Sequence, residues 1–83
     1  MNTQLEVLKV LDSVLGLNGR TARYTGDTAL LGAIPELDSM AVATVLASLE
    51  ERFGIVVEDD EIDGSIFATV GSLATFVDQK LAG

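Results

Sequence analysis

Apolar residues return at helical intervals in three separate stretches, and this periodicity constrains the fold more than any other feature of the chain. Leu5, Leu8, Leu11 and Leu15 follow one another at steps of three, three and four in "NTQLEVLKVLDSVLGL". Val42, Leu46, Leu49 and Phe53 step by four, three and four, and Val70, Leu73, Val77 and Leu81 by three, four and four. A helix turns once in about 3.6 residues, so each set forms one stripe that must be buried against another element. Three such stripes in 83 residues predict helices packed on helices. Only 5% of the residues are aromatic, so the core must be built from Leu, Val, Ile and Ala.

The punctuation between the stripes sets the expected boundaries. Thr3 followed by Glu6 has capping-box spacing and Gly16 is a stop, which gives a first helix over roughly 3–15. Residues 16–37 hold Gly16, Gly19, Gly26, Gly32 and the only proline, Pro35, and read as a long loop. Tyr24, Leu30, Leu31, Ile34 and Leu37 are expected to hold that loop on the core, with one helical turn at "DTALL". The second helix spans about 39–53 and stops at Gly54; its outer side carries Met40, Thr44, Ala47 and Glu51. "IVV" reads as a buried connector, Ile62, Ile66 and Phe67 as the inner side of a short third helix, and Thr69 as the cap of the last one. The pattern predicts an all-α four-helix bundle, with three longer helices, one short third helix and a long first loop. It forms a single domain over 1–83, without internal repeats.

Charge and residue usage then remove whole classes of function. Five basic groups stand against 13 acidic ones, a net charge of −8. Such a surface repels phosphate backbones and anionic lipid, so no nucleic-acid partner is expected, while a partner with a basic patch is favoured. The chain has no cysteine and no histidine, which excludes disulfides, thiolate metal sites and a Ser-His catalytic pair. No enzyme is expected. Lys9 and Lys80 stand near opposite ends of the chain, outside any Ser-Lys context. "DDEIDG" from Asp59 imitates the start of a calcium loop, but Val70 falls at the bidentate position and cannot bind an ion, so no metal is expected. No glycine-rich stretch carries the Lys-Ser/Thr ending of a phosphate-binding P-loop. The N-terminus lacks a basic leader before an apolar run, and no apolar stretch reaches about 18 residues. A cytoplasmic monomer without membrane insertion is the expectation.

The chemistry concentrates at "PELDSMAVATVLASLEERFGI", where Asp38 and Ser39 open the second helix. Asp or Ser in that place is an ordinary N-cap signal. A serine there is also exposed, and the free N–H groups and positive dipole end favour an added phosphodiester. The position therefore suits a covalent, phosphate-linked modification better than catalysis.

With these residues in place, the chain resembles the acyl carrier protein family from about Leu5 to Leu81. "LDSMAVATVLASLEERFGI" is similar to the family's Asp-Ser-Leu motif and the helix that follows it, and "TVGSLATFV" to its final helix. The resemblance implies a non-catalytic carrier with 4′-phosphopantetheine from coenzyme A on Ser39. Acyl groups then travel as thioesters on the arm's thiol, in lipid metabolism and fatty acid biosynthesis. The implied partners are a phosphopantetheinyl transferase and acyl-loading and acyl-transfer enzymes with basic docking patches. Asp38 matches the motif's aspartate and Met40 its leucine. Met40, Thr44, Ala47, Glu50 and Glu51 are the implied partner-binding residues.

Three departures separate the chain from fatty-acid-synthesis carriers. Met40 replaces leucine; Pro35, Glu36 and Leu37 stand where a glycine is common; Ala41, Thr44 and Ala47 make the face after the serine less acidic. "LLGAIPELDSMAV" looks more like specialised bacterial carriers, including those accompanying exosortase-type sorting systems. Two other functions stay open at this point. One is a peptidyl carrier domain, which usually shows Gly-Gly ahead of its motif, unlike "PELDSM". The other is an acidic helical adaptor that never carries an arm.

Overall fold

The computed structural model describes residues 2–82 and holds three α-helices: α1 (Thr3–Leu15), α2 (Ser39–Phe53) and α3 (Val70–Ala82). The all-α class holds. The expected short third helix is present as two 3₁₀ turns, Asp59–Glu61 and Gly64–Phe67. A further 3₁₀ turn, Arg20–Arg23, lies in the long loop.

Gly16 and Gly54 end α1 and α2 in left-handed backbone at φ 64° and 65°, a conformation glycine adopts without a Cβ penalty. The start of α1 is one residue earlier than Thr3 suggested. Asn2 is the cap, its side chain accepting the Leu5 N–H, while Thr3 is already helical and its hydroxyl donates to Asp78 on α3. Glu6 is drawn away from a capping box by Arg52 and Lys9. Because Arg52 is near the end of α2 and Glu6 near the start of α1, the two helices run antiparallel. At α3 the expected cap is present: Thr69 and Ser72 exchange side-chain-to-backbone bonds, each 3.0 Å.

Val7, Leu8, Val10 and Leu11 of α1 meet Val45, Leu46 and Leu49 of α2 and Val70, Leu73 and Val77 of α3 in one core. Three stripes are thus rotated or shorter than their leucine spacing implied. Leu5 and Leu81 are 48% and 41% exposed, and Leu15, Val42 and Phe53 are only partly buried. The first turn of α1 and the last turn of α3 carry Leu5 and Leu81 beyond the packed centre, whereas Val70 at the start of α3 is fully buried.

The long loop is held by buried Leu17, Leu30, Ile34 and Leu37, with Tyr24 packed at its margin. Leu31 is exposed, and "DTALL" forms no helical turn: Asp27 lies in a turn, Ala29 bridges Thr69 and Leu31 begins the next turn. The cause is backbone pairing. Leu30 and Leu31 donate to the carbonyls of Ala68 and Phe67, while Val70 and Gly71 donate to Thr28 and Gly26. The loop therefore satisfies N–H groups at the start of α3 that no intrahelical acceptor can reach. In the connector after α2, Ile55 is buried, but Val56 is exposed and Val57 half-buried.

Candidate functional site

The end of the loop delivers Asp38 in extended backbone, and its Oδ1 accepts the Ala41 N–H at 2.8 Å. Its carbonyl accepts from Val42 at 2.9 Å, so Asp38 caps the helix that Ser39 begins. Ser39 is exposed, and its hydroxyl and N–H have no partner among the described residues; the same is true of the Met40 N–H. An exposed hydroxyl thus stands beside two open amide donors at the positive end of a fifteen-residue helix.

A shallow groove of about 280 Å³ runs from Ser39 down one side of α2. Val42, Ala43, Leu46 and Ala47 form its helical wall, Val57 and Ile62 face them, and Glu50 and Asp59 supply its polar atoms. Glu50 is half-buried, and its Oε2 accepts the Val57 N–H at 2.9 Å, which fastens the connector to α2. Glu51 is exposed and lines a different groove, between α1 and α2, together with Glu6, Lys9 and Arg52. Met40, at 80% exposure, is the most open large apolar side chain described, and Thr44 and Ala47 are exposed below it. The Thr44 hydroxyl donates back to the Met40 carbonyl at 3.2 Å.

The structure therefore brings Ser39, Ala47 and Glu50 to one groove, leaves Asp38, Met40 and Thr44 exposed outside its lining, and puts Glu51 on another flank. The opposite wall from Val57 to Ile62 carries no sequence signal for this role, because its residues meet Ser39 only through the fold.

Four acidic groups outside this site are engaged in local structure. The Arg52 and Lys9 cations hold the Glu6 carboxyl below its ordinary range, and Lys80 does the same for Glu61. Asp63 is lowered by the Ser65 hydroxyl and amide, which it accepts. Glu36 is lowered by Arg20.

A family model described as "Phosphopantetheine attachment site" matches residues 6–77. The chain belongs to that family. The solution NMR structure of a holo acyl carrier protein from Nitrosomonas europaea is similar over 100% of both chains, with 48% identity and a TM-score of 0.93. No curated protein sequence matches the chain significantly. The chain has the acyl carrier protein fold with a phosphopantetheine attachment domain, and its cofactor is covalently bound 4′-phosphopantetheine. The site fits this group, since the unpartnered Ser39 hydroxyl offers an attachment oxygen and the open amides of Ser39 and Met40 offer donors to a phosphodiester.

Proposed function

We propose that Ser39 carries the phosphopantetheine arm and that the chain presents acyl thioesters on it to partner enzymes. The observation that carries this reading is the Ser39 hydroxyl, exposed and unpartnered at the capped start of α2. When bound, the arm supplies a terminal thiol that forms thioesters, a group this chain lacks on its own. In arm transfer the Ser39 oxygen bonds to the phosphorus that bears the pantetheine half of coenzyme A. The phosphoanhydride bond breaks, the nucleotide half leaves, and the hydroxyl proton passes to a base of the transferase, since no histidine is present here. Asp38 orients the acceptor by holding the first turn of the helix. The chain is thus a substrate of the transferase and of acyl-transfer enzymes, not a catalyst.

Met40, Thr44 and Ala47 form the contact surface for those enzymes, and Glu51 meets their basic patches from the flank. Support comes from their exposure along α2 below Ser39 and from the net charge of −8. The half-buried position of Glu50 gives it a structural bond first and a recognition role second. The sparsely charged α2 face and the Pro35–Leu37 approach favour a specialised bacterial pathway of the exosortase-associated kind over general fatty acid synthesis. A cytoplasmic, monomeric carrier fits a chain without cysteine; among the described residues no helix is long and apolar enough to cross a membrane.

Thiol titration tests the reading. Incubation with coenzyme A and a broad phosphopantetheinyl transferase should give a cysteine-free protein one titratable thiol per molecule. A protein that stays thiol-free would be the unmodified adaptor instead.

A further inference from the structure

The segment that delivers Ser39 is tied to the far end of the long loop by one ion pair. Arg20 Nη2 contacts Glu36 Oε2, and Glu36 lies between buried Ile34 and buried Leu37, two residues before the Asp38 cap. Arg20 is itself fixed. Its Nε–H donates to the carbonyl of fully buried Leu17 at 3.2 Å, and its amide donates to the same oxygen at 3.1 Å. On either side of it, Asp12 Oδ2 accepts the Gly19 N–H at 2.9 Å and the Thr21 hydroxyl at 3.0 Å. A continuous run of polar contacts thus leads from Asp12 in α1, through the Arg20–Arg23 turn, to the residue two before the cap of α2.

The Arg20 and Glu36 side chains are 51% and 35% exposed, and exposed pairs contribute little to stability. Placement is different, because a reacting hydroxyl displaced by about 1 Å can lose up to about 10²-fold in rate. We propose that Arg20 and Glu36 are positioning residues for arm transfer, fixing the approach of Asp38 so that the Ser39 hydroxyl is presented in one place. The proposal rests on Ser39 being the acceptor. Neither side chain touches the reacting atoms, and the docking surface on α2 is untouched by their loss. Disruption therefore lowers kcat for arm transfer and leaves KM for the carrier unchanged.

The test is steady-state arm transfer from coenzyme A to Arg20→Ala, Glu36→Gln, the exchanged pair R20E/E36R, Thr3→Ala and Ser39→Ala proteins. Melting curves accompany each. Arg20→Ala and Glu36→Gln should each lower kcat by about tenfold at constant KM with near-native melting. The exchanged pair should recover most of the loss, and Thr3→Ala, which removes the exposed hydroxyl bond to Asp78 between α1 and α3, should behave as wild type. Unchanged kcat in both single variants overturns the proposal. So does a rise in KM that the exchange does not reverse, which would make Arg20 a transferase contact. Arm transfer to Ser39→Ala would instead overturn the assignment of the acceptor, so the two failures are distinct.

Discussion

Asp38 Oδ1 accepts the Ala41 amide hydrogen at 2.8 Å, so the residue before the candidate attachment serine is what holds the first turn of α2 in place. Cap and acceptor are neighbours on the chain, and the helix end that needs an acceptor for its amides is the one that offers donors to a phosphodiester.

Asp38→Ala should therefore cost about 0.5–2 kcal/mol of stability and slow arm transfer as well. Asp38→Asn keeps the cap, because Asn is as good an N-cap as Asp. Urea denaturation and arm-transfer rates measured on both variants separate the cap from the charge. A rate that falls equally in both assigns the effect to the carboxylate rather than to helix geometry.

Gly71 sits where the long loop crosses the start of α3, and a Cβ there would come within 2.9 Å of the Gly26 carbonyl oxygen. Alanine favours helices by about 1 kcal/mol over glycine, but this contact is with backbone that already accepts the Gly71 N–H at 2.8 Å. The clash should win, and Gly71→Ala should lose about 1–3 kcal/mol in chemical denaturation. A more stable variant would show that the loop yields at no cost.

Glu51→Lys should slow arm transfer at low salt and flatten its salt dependence, with helix content unchanged, because exposed charges act mainly on association rate. Glu51 is the better probe than Glu50, whose replacement also removes the bond to the Val57 N–H. Transferase kinetics at two salt concentrations decide the point. Equal rates for variant and wild type at low salt would move recognition off this flank.

Acid should destabilise the protein in a defined window. Glu6, Glu36, Glu61 and Asp63 all have pKa values lowered in the folded state, through Arg52 and Lys9, Arg20, Lys80 and Ser65 respectively. A lowered carboxyl releases its proton more readily when folded, so the unfolded chain binds more protons and stability rises with pH there. The contribution is complete above the unfolded carboxyl range, about 4, and is lost as pH falls through the lower folded values. Urea midpoints should be level between about pH 7 and 5 and drop toward pH 3, with a shallower drop in Glu6→Gln. A midpoint that rises toward pH 3 would contradict this assignment.

The parts of this fold legible in the sequence are those that local chemistry decides. Asp38, Gly16 and Gly54 marked helix ends because caps and left-handed stops act within a few residues. Leu46, Leu49, Leu73 and Val77 marked core because they fall at the middle of their stripes. Leu5 and Leu81 share the same periodicity yet lie at overhanging ends, where burial depends on a facing element rather than on spacing. The path of residues 26–31 was hidden for another reason: it is set by backbone bonds to residues 67–71, which no side-chain pattern encodes. Ser39, Asp38 and Met40 were legible as a local motif. The Arg20–Glu36 pair, and the groove that sets the Val57–Ile62 wall against α2, join residues apart in sequence that only the folded chain brings together.

Localising the arm decides whether Ser39 is its acceptor. Trypsin leaves residues 24–52 as one peptide between Arg23 and Arg52, and it contains two serines, Ser39 and Ser48. Fragmentation of that peptide after arm transfer should put the whole added mass on Ser39 and none on Ser48, and the Ser39→Ala protein should give no adduct at all. An adduct on Ser48, or one that persists in Ser39→Ala, would show that another residue accepts the arm.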